Sequence, residues 1–341
     1  MLLKGRFLRL VRRKSARNSF WIIAERVVSS GIAAVITIIS ARYLGAENYG
    51  ILTYGLSFVT LFAGIMKLGL DSIMVNELIN NRGKQGSFLG TSIILRIASS
   101  LLSIVSIFII LSILNTDQWL IIVVALVQAI ILVFQAFNVL DFWFQSELRS
   151  KFVSVAKISA SLLVATYSAY LLISGKDVVW FAASTALGGF IVAVVLLFFY
   201  LRQGGLKMSF STTDARYLLG KSHHFIAATI ISTVYVQIDR VMIGNMLDQT
   251  QLGLYSAALA FGVIWKFVPD SIITSMRPVI MTAKRKSEGL YLRRLKQMYF
   301  IVFWLSVVFS IATTVIAPFV VPLLFGDEFL GAAAVAQVAV W

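Results

Sequence analysis

Stretches of roughly 20 apolar residues recur along the whole of this chain, and each is long enough to cross a ~30 Å hydrocarbon layer as a helix. Few folds remain open to such a sequence. In lipid, every backbone N–H and C=O must find its partner within the protein, so spanning segments are helices or closed barrels. A barrel would show short alternating segments, whereas the runs here are long and continuous. The sequence predicts an all-α polytopic membrane protein with nine complete spans, at about 19–41, 50–70, 88–112, 118–140, 153–173, 178–201, 222–246, 253–273 and 298–324. A tenth apolar segment begins near 331 and is cut off at Trp341. Only 13% of the residues are charged, about half the share of a soluble domain.

The placement of the charges gives the topology. Seven Lys and Arg residues lie in positions 1–17, and the second, fourth, sixth and eighth connections hold two, two, four and seven. The odd connections hold one, none, one, none and none. The positive-inside rule then puts the N-terminus and the even connections in the cytoplasm. The net charge of +15 is this topogenic signal rather than a nucleic-acid footprint. Leu3, Phe7, Leu10 and Val11 share one helical face of a basic N-terminal segment, 1–17, expected to lie on the membrane surface. Trp119, Trp143 and Trp180 fall near span ends, as interfacial anchors would. The connections at 202–221 and 274–297 read as cytoplasmic loops. There is no cysteine, and the two histidines are the adjacent pair His223 and His224, so no metal-ligand spacing and no cofactor is expected.

Six cations do not fit the topogenic pattern. Arg26, Lys67, Arg96, Lys157, Arg240 and Lys266 lie inside the apolar stretches, where a charge costs about 2.5–3.5 kcal/mol on insertion scales. They fall on polar stripes. Thr53, Ser57, Thr60, Gly64, Lys67 and Asp71 follow one face of the second span, and Ser92, Arg96, Ser99, Ser103 and Ser106 follow one face of the third. The first span carries Arg26, Ser29, Ser30 and Ala33, the fourth Gln128, Gln135 and Asn138, the fifth Ser154, Lys157 and Ser161. Small residues in such stripes suit helix packing; Arg96 and Lys266, deep in their spans, call for a cavity, while for Arg26, Lys67 and Lys157, nearer the cytoplasmic ends, snorkelling to the surface is the alternative. Glu25 and Asp239 are the clear acids within spans, with Asp71, Asp141 and Asp270 at cytoplasmic ends. An excess of positive charge in a cavity suits an anionic ligand, phosphate or diphosphate in particular, and a structural ion-pair network is the alternative.

Residues 41–52, Ala-Arg-Tyr-Leu-Gly-Ala-Glu-Asn-Tyr-Gly-Ile-Leu, resemble the first outward loop of Wzx-type polysaccharide flippases. So do Lys67-Leu-Gly-Leu-Asp71 with Asn76-Glu77, the stretch 236–261 with Gln237-Ile-Asp-Arg-Val-Met-Ile-Gly244 and Gly253-Leu-Tyr-Ser-Ala-Ala258, and Leu324-Phe-Gly-Asp-Glu-Phe-Leu-Gly-Ala332. The resemblance is to the multidrug, oligosaccharidyl-lipid and polysaccharide exporter superfamily. It implies a MATE-like architecture of two six-helix bundles around a central cavity: a first bundle at 18–201, a cytoplasmic linker at 202–221 and a partial second bundle at 222–341. A weak parallel repeat at an offset of 203, pairing Ile23, Ala24, Leu44, Gly50 and Phe58 with Ile226, Ala227, Leu247, Gly253 and Phe261, agrees. On that repeat a second unit would end at about residue 420.

The function so implied is translocation of an undecaprenyl-diphosphate-linked oligosaccharide across the cytoplasmic membrane, for surface polysaccharide such as O-antigen of lipopolysaccharide. Arg26, Lys67, Arg96, Arg240 and Lys266 are the expected cavity residues for the diphosphate. Glu25 and Asp239 are candidates for proton or sodium coupling. Membrane lipid and other polysaccharide-assembly proteins are the expected partners. A lipid II flippase and a MATE-type multidrug antiporter are the alternatives; the antiporter would need carboxylates where cations are in excess. An enzyme is not expected, because the outward connections are too short to hold a catalytic constellation.

Overall fold

A computed structural model describes the backbone of residues 2–341 and the side chains of 18, 20–262, 268–269, 272–273, 275–277 and 279–341. The expected apolar face of Leu3, Phe7, Leu10 and Val11, and the side chain of Lys266, lie outside the described residues. Among the described residues every regular element is helical.

Helix α1 (Leu2–Met66) carries the first two spans. Its apolar part, Phe20–Met66, has 47 residues, or about 70 Å of helix, twice what one crossing needs. The break falls at Gly45, whose φ of 75° and ψ of 171° interrupt the helix in a conformation only glycine adopts without strain. After Met66, two left-handed residues, Leu68 (φ 52°) and Gly69 (φ 64°), turn the chain into a short 3-10 turn at Leu70–Ser72. Helices α2 (Met74–Asn80) and α3 (Gln85–Leu114) follow. The fourth span, Trp119–Ser146, is a succession of α4 (Trp119–Ala129), α5 (Ile131–Gln135), a 3-10 turn and α6 (Val139–Ser146). Helices α7 (Ser150–Ile173) and α8 (Val178–Arg202) form a hairpin around Gly175.

Helix α9 (Thr212–Met246) starts at Ser211, whose hydroxyl accepts from the Asp214 N–H at 3.2 Å. Helices α10 (Gln249–Lys286) and α11 (Glu288–Phe325) are separated by Ser287, which caps α11 by accepting from Leu290 N–H at 3.2 Å. The stretch 274–297, expected as a loop, is therefore helical on both sides of one residue. Arg, Lys, Leu, Met and Glu, all strong helix formers, make up 13 of its 24 residues, so charge alone does not end a helix there. Helix α12 (Leu330–Ala339) closes the chain.

The chain groups into two compact units, one of residues 1–36 and 51–248, the other of residues 37–50 and 249–341. The first unit is cored by Met74, Leu78, Phe88, Leu140, Phe144 and Leu218. Trp143 belongs to that core: it is 5% exposed, its Nε1–H donates to Gln85 Oε1 at 3.0 Å, and its ring meets Tyr200 edge-on. It is not the interfacial anchor expected, unlike Trp119 and Trp180, which are exposed. The indole N–H explains the difference, since a buried partner satisfies it as well as the headgroup region would. The second unit is cored by small and aromatic residues, including Ala41, Ala46, Tyr49, Ala257, Phe261, Phe325 and Phe329. Ile113, Ile173, Phe319 and Leu323 stay exposed, as lipid-facing side chains do.

Candidate functional site

The turn after Met66 builds the first of two polar sites. Because Leu68 and Gly69 reverse the chain, Asp71 comes back over the end of α1 and closes an ion pair with Arg96, which lies 25 residues away on α3. The same Arg96 Nη2 donates to the Lys67 carbonyl at 3.3 Å. Arg96 is 1% exposed and its guanidinium lies 6.0 Å from the Phe142 ring. Lys67 stands 3.8 Å from the other Asp71 oxygen, with its side chain 43% exposed. Two cations therefore share one carboxylate. Asp71 accepts the close, charge-assisted contact from Arg96, and of the two cations Lys67 is the one that reaches solvent.

The second site is a cavity of about 410 Å³ inside the first unit. The polar stripes of the first, fourth and fifth spans converge on it: Glu25, Ser29 and Ala33 from α1, Gln135 and Asn138 before α6, Lys157 and Ser161 from α7. Ser184 and Thr185 of α8 complete its polar wall. Lys157 is paired with Asp141 at 3.0 Å, and Gln145 donates to the other Asp141 oxygen at 2.9 Å. The Ser29 hydroxyl is buried without a hydrogen-bond partner among the described residues.

The stripes of the second and third spans do something else. Ser57 is fully buried, Gly64 packs on Thr233 of α9, and Gly55 packs on Ala125 of α4. Gln128 Nε2 donates to the Leu52 carbonyl at 3.0 Å, and Ser92 and Ser103 are buried. These faces are helix contacts, with small residues letting backbones approach.

Of the sequence-predicted residues, Lys67 and Arg96 come together at Asp71. Arg26 is exposed and does not line the cavity that its neighbour Glu25 lines. Arg240 donates to Gln237 Oε1 at 3.3 Å on its own helix, and its Nε is buried without a hydrogen-bond partner among the described residues. Asp239 accepts from the Arg240 N–H at 2.8 Å. Asp71 and Asp141, read from sequence as acids at cytoplasmic ends, are the partners of in-span cations, so the surplus of positive charge is smaller than a count along the chain suggests. The i,i+4 spacing of Lys67 and Asp71 carried that signal; the pairing of Lys157 with Asp141 came only with the fold.

Two further clusters were not foreseen. Glu77, 6% exposed, accepts from Asn81 Nδ2 at 3.1 Å, Tyr217 OH at 3.0 Å and Lys221 Nζ at 2.8 Å. It joins α2 to the start of α9. In the second unit, Glu328 Oε1 accepts from the Ala46 N–H at 3.0 Å, Arg42 Nη1 donates to the Leu323 carbonyl at 3.2 Å, and the Tyr49 and Phe329 rings meet edge-on. Two of the family-like motifs, 41–52 and 324–332, thus meet as one joint.

Comparison with known proteins agrees with this architecture. The family model described as "Polysaccharide biosynthesis protein" matches residues 15–284. An inward-facing structure of a multidrug resistance MATE family transporter of the MOP superfamily superposes with a TM-score of 0.68 at 13% identity, over 92% of this chain and 75% of that one. An outward-facing structure of such a transporter gives 0.60 at 16% identity, over 96% and 77%. No curated protein matches the chain.

Proposed function

We propose, from the premise that this chain belongs to the polysaccharide biosynthesis protein family and has the fold of a MATE-like transporter, that it is a flippase for a polyprenyl-diphosphate-linked oligosaccharide. Family and fold point to a membrane transporter rather than to an enzyme. The substrate class is our reading of the charges, and one observation carries it: Lys67 and Arg96 share Asp71, leaving one positive charge that only Lys67 presents to solvent. A diphosphate is the ligand such a charge suits, because it supplies the missing anion and does not require dehydrating Arg96. Arg26, Arg240 and Lys266 remain proposed contacts for the same headgroup. Glu25, which lines the cavity of the first unit, is proposed to serve coupling by proton or sodium, with Asp239 as the second candidate, and the cavity's serine, threonine and amide side chains to hydrogen-bond sugar hydroxyls.

Transport is proposed to run by alternating access, in a cytoplasmic membrane with the N-terminus inside, supplying a surface glycan such as O-antigen together with other polysaccharide-assembly proteins. The test is reconstitution in vesicles with a fluorescent undecaprenyl-diphosphate oligosaccharide. Lys67→Gln and Lys67→Glu are expected to lower translocation at least tenfold, with the reversal the worse of the two, while inserting and melting like the parent, since an exposed ion pair is worth only about 0–1 kcal/mol. Full translocation by Lys67→Glu would remove the substrate assignment and leave the family.

A further inference from the structure

Between α10 and α11 runs an open cleft of about 840 Å³, wholly within the second unit. Its cationic wall is Arg293, Arg294 and Lys296. Its apolar wall is Met276 from α10 with Leu292, Phe300 and Ile301 from α11. Arg293, Lys296 and Phe300 recur at steps of three and four, so they share one helix face. Seven residues of helix separate Arg293 from Phe300, about 10 Å. The cleft thus changes from charged to greasy over roughly the depth of a lipid headgroup.

Four observations concern what could fill it. All three cations are exposed, and among the described residues none is in an ion pair. Arg294 Nη1 donates to Gln297 Oε1 at 3.0 Å, a neutral partner that leaves the guanidinium charge uncompensated. Glu288, in the first turn of α11, is not part of the lining. An added Cβ at Gly289 would meet nothing within 4 Å, so the end of the cleft at the first turn of α11 is open. A soluble acidic peptide would leave Phe300 and Ile301 wet, and an uncharged lipid would leave three cations unmatched.

We propose that this cleft binds an anionic phospholipid of the surrounding bilayer, its phosphate against Arg293, Arg294 and Lys296 and the start of an acyl chain against Phe300 and Ile301. The site is independent of the substrate assigned above. Three cations lining one cleft differ from diffuse positive-inside charge, because they lie within one turn of helix beside an apolar wall rather than spreading along a surface. The interaction weakens with salt, since its cationic part is exposed.

The experiment counts bound lipid. The purified full chain, stripped of lipid, is titrated with phosphatidylglycerol, phosphatidylcholine or undecaprenyl diphosphate and read by native mass spectrometry. The parent is expected to retain phosphatidylglycerol and not phosphatidylcholine. Neutralising the cleft (Arg293→Gln with Arg294→Gln and Lys296→Gln) is expected to weaken phosphatidylglycerol about 100-fold, from about fivefold per charge. A control removes the same charge outside the cleft (Lys284→Gln with Arg285→Gln and Lys286→Gln) and should weaken it less than tenfold. Equal loss in the two triples overturns the site, as does retention of undecaprenyl diphosphate alone. Should the cleft triple not fold, the otherwise cysteine-free chain allows Ile301→Cys to carry a fluorophore. Brominated phosphatidylglycerol should then quench it well below the concentration at which brominated phosphatidylcholine does, and equal quenching overturns the proposal.

Discussion

Gly50 and Gly253 touch each other reciprocally. A Cβ added to Gly50 would strike the Gln249 carbonyl and come within 3.1 Å of the Gly253 nitrogen; one added to Gly253 would strike the Ala46 carbonyl and come within 3.2 Å of the Gly50 nitrogen. Ala46 and Gln249 stand 203 positions apart, as do Gly50 and Gly253. The repeat that is faint in sequence therefore shows as a local two-fold relation between backbones, at the place where no side chain fits. Gly50→Ala and Gly253→Ala are each expected to cost about 1–3 kcal/mol, the range for forcing extra volume into packed structure, and to lower the melting temperature in detergent by similar amounts. A silent change at either position would mean that the helices part freely there.

The ion pair of Asp71 with Arg96 predicts an asymmetry. Arg96 is 1% exposed and Asp71 38%. Asp71→Ala leaves a buried guanidinium without its carboxylate and should cost about 3 kcal/mol or more. Arg96→Met leaves a carboxylate that water and Lys67 still reach, and should cost clearly less. Thermal melting of the two variants against the parent checks the order, and the reverse order would mean that Arg96 finds water in solution.

Gly69 is held twice over. Its φ is 64°, and a Cβ there would lie 2.8 Å from the Ser222 carbonyl and 2.9 Å from the Ile226 nitrogen of α9. Gly69→Ala is expected to cost about 1–2 kcal/mol from the left-handed backbone alone, with more from the displaced helix. Because the turn carries Asp71 to Arg96, translocation should fall together with stability. Gly83, whose Cβ would meet nothing within 4 Å, is the control, and Gly83→Ala should change neither.

Glu77 offers a mechanical readout. Glu77→Ala removes the acceptor of Asn81, Tyr217 and Lys221 at once, and loosens the start of α9 from α2. Limited proteolysis should then cut the segment 203–211 several-fold faster than in the parent. Lys221→Gln, which keeps a donor and whose side chain is 47% exposed, should change the rate little. Equal rates for Glu77→Ala and the parent would show that packing alone holds the join.

Most spans were legible in the sequence because length and hydropathy decide them: among the described residues seven helices are long and apolar enough to cross a membrane, and Gly45 breaks α1, the first of them, near the gap between the first two expected spans. The polar stripes were legible as faces, not as fates. Ser57 and Ser92 ended in helix contacts while Ser29 and Ser161 ended at a cavity, because the same small polar residue serves either and only the neighbouring helix decides. Counting Asp71 and Asp141 by their position along the chain missed their partners on other helices: the turn after α1 sets Asp71 against Arg96 of α3, and Asp141 of α6 meets Lys157 of α7. Trp143 misled for a related reason. Gln85, which satisfies its indole, lies 58 residues away, beyond what any local pattern can show.

The segment after α8 lies on α3 main chain to glycine. Ser209 N–H donates to the Gly86 carbonyl at 3.4 Å, a Cβ on Gly86 would strike the Lys207 carbonyl, and one on Gly90 would come within 2.8 Å of the Ser209 nitrogen. Such a seam reads backbone and ignores identity. Mutational latitude is therefore inverted from the usual pattern: positions such as Lys207 and Ser209 on the connecting segment can drift in composition, whereas two small residues inside a spanning helix must stay as they are for that drift to be harmless.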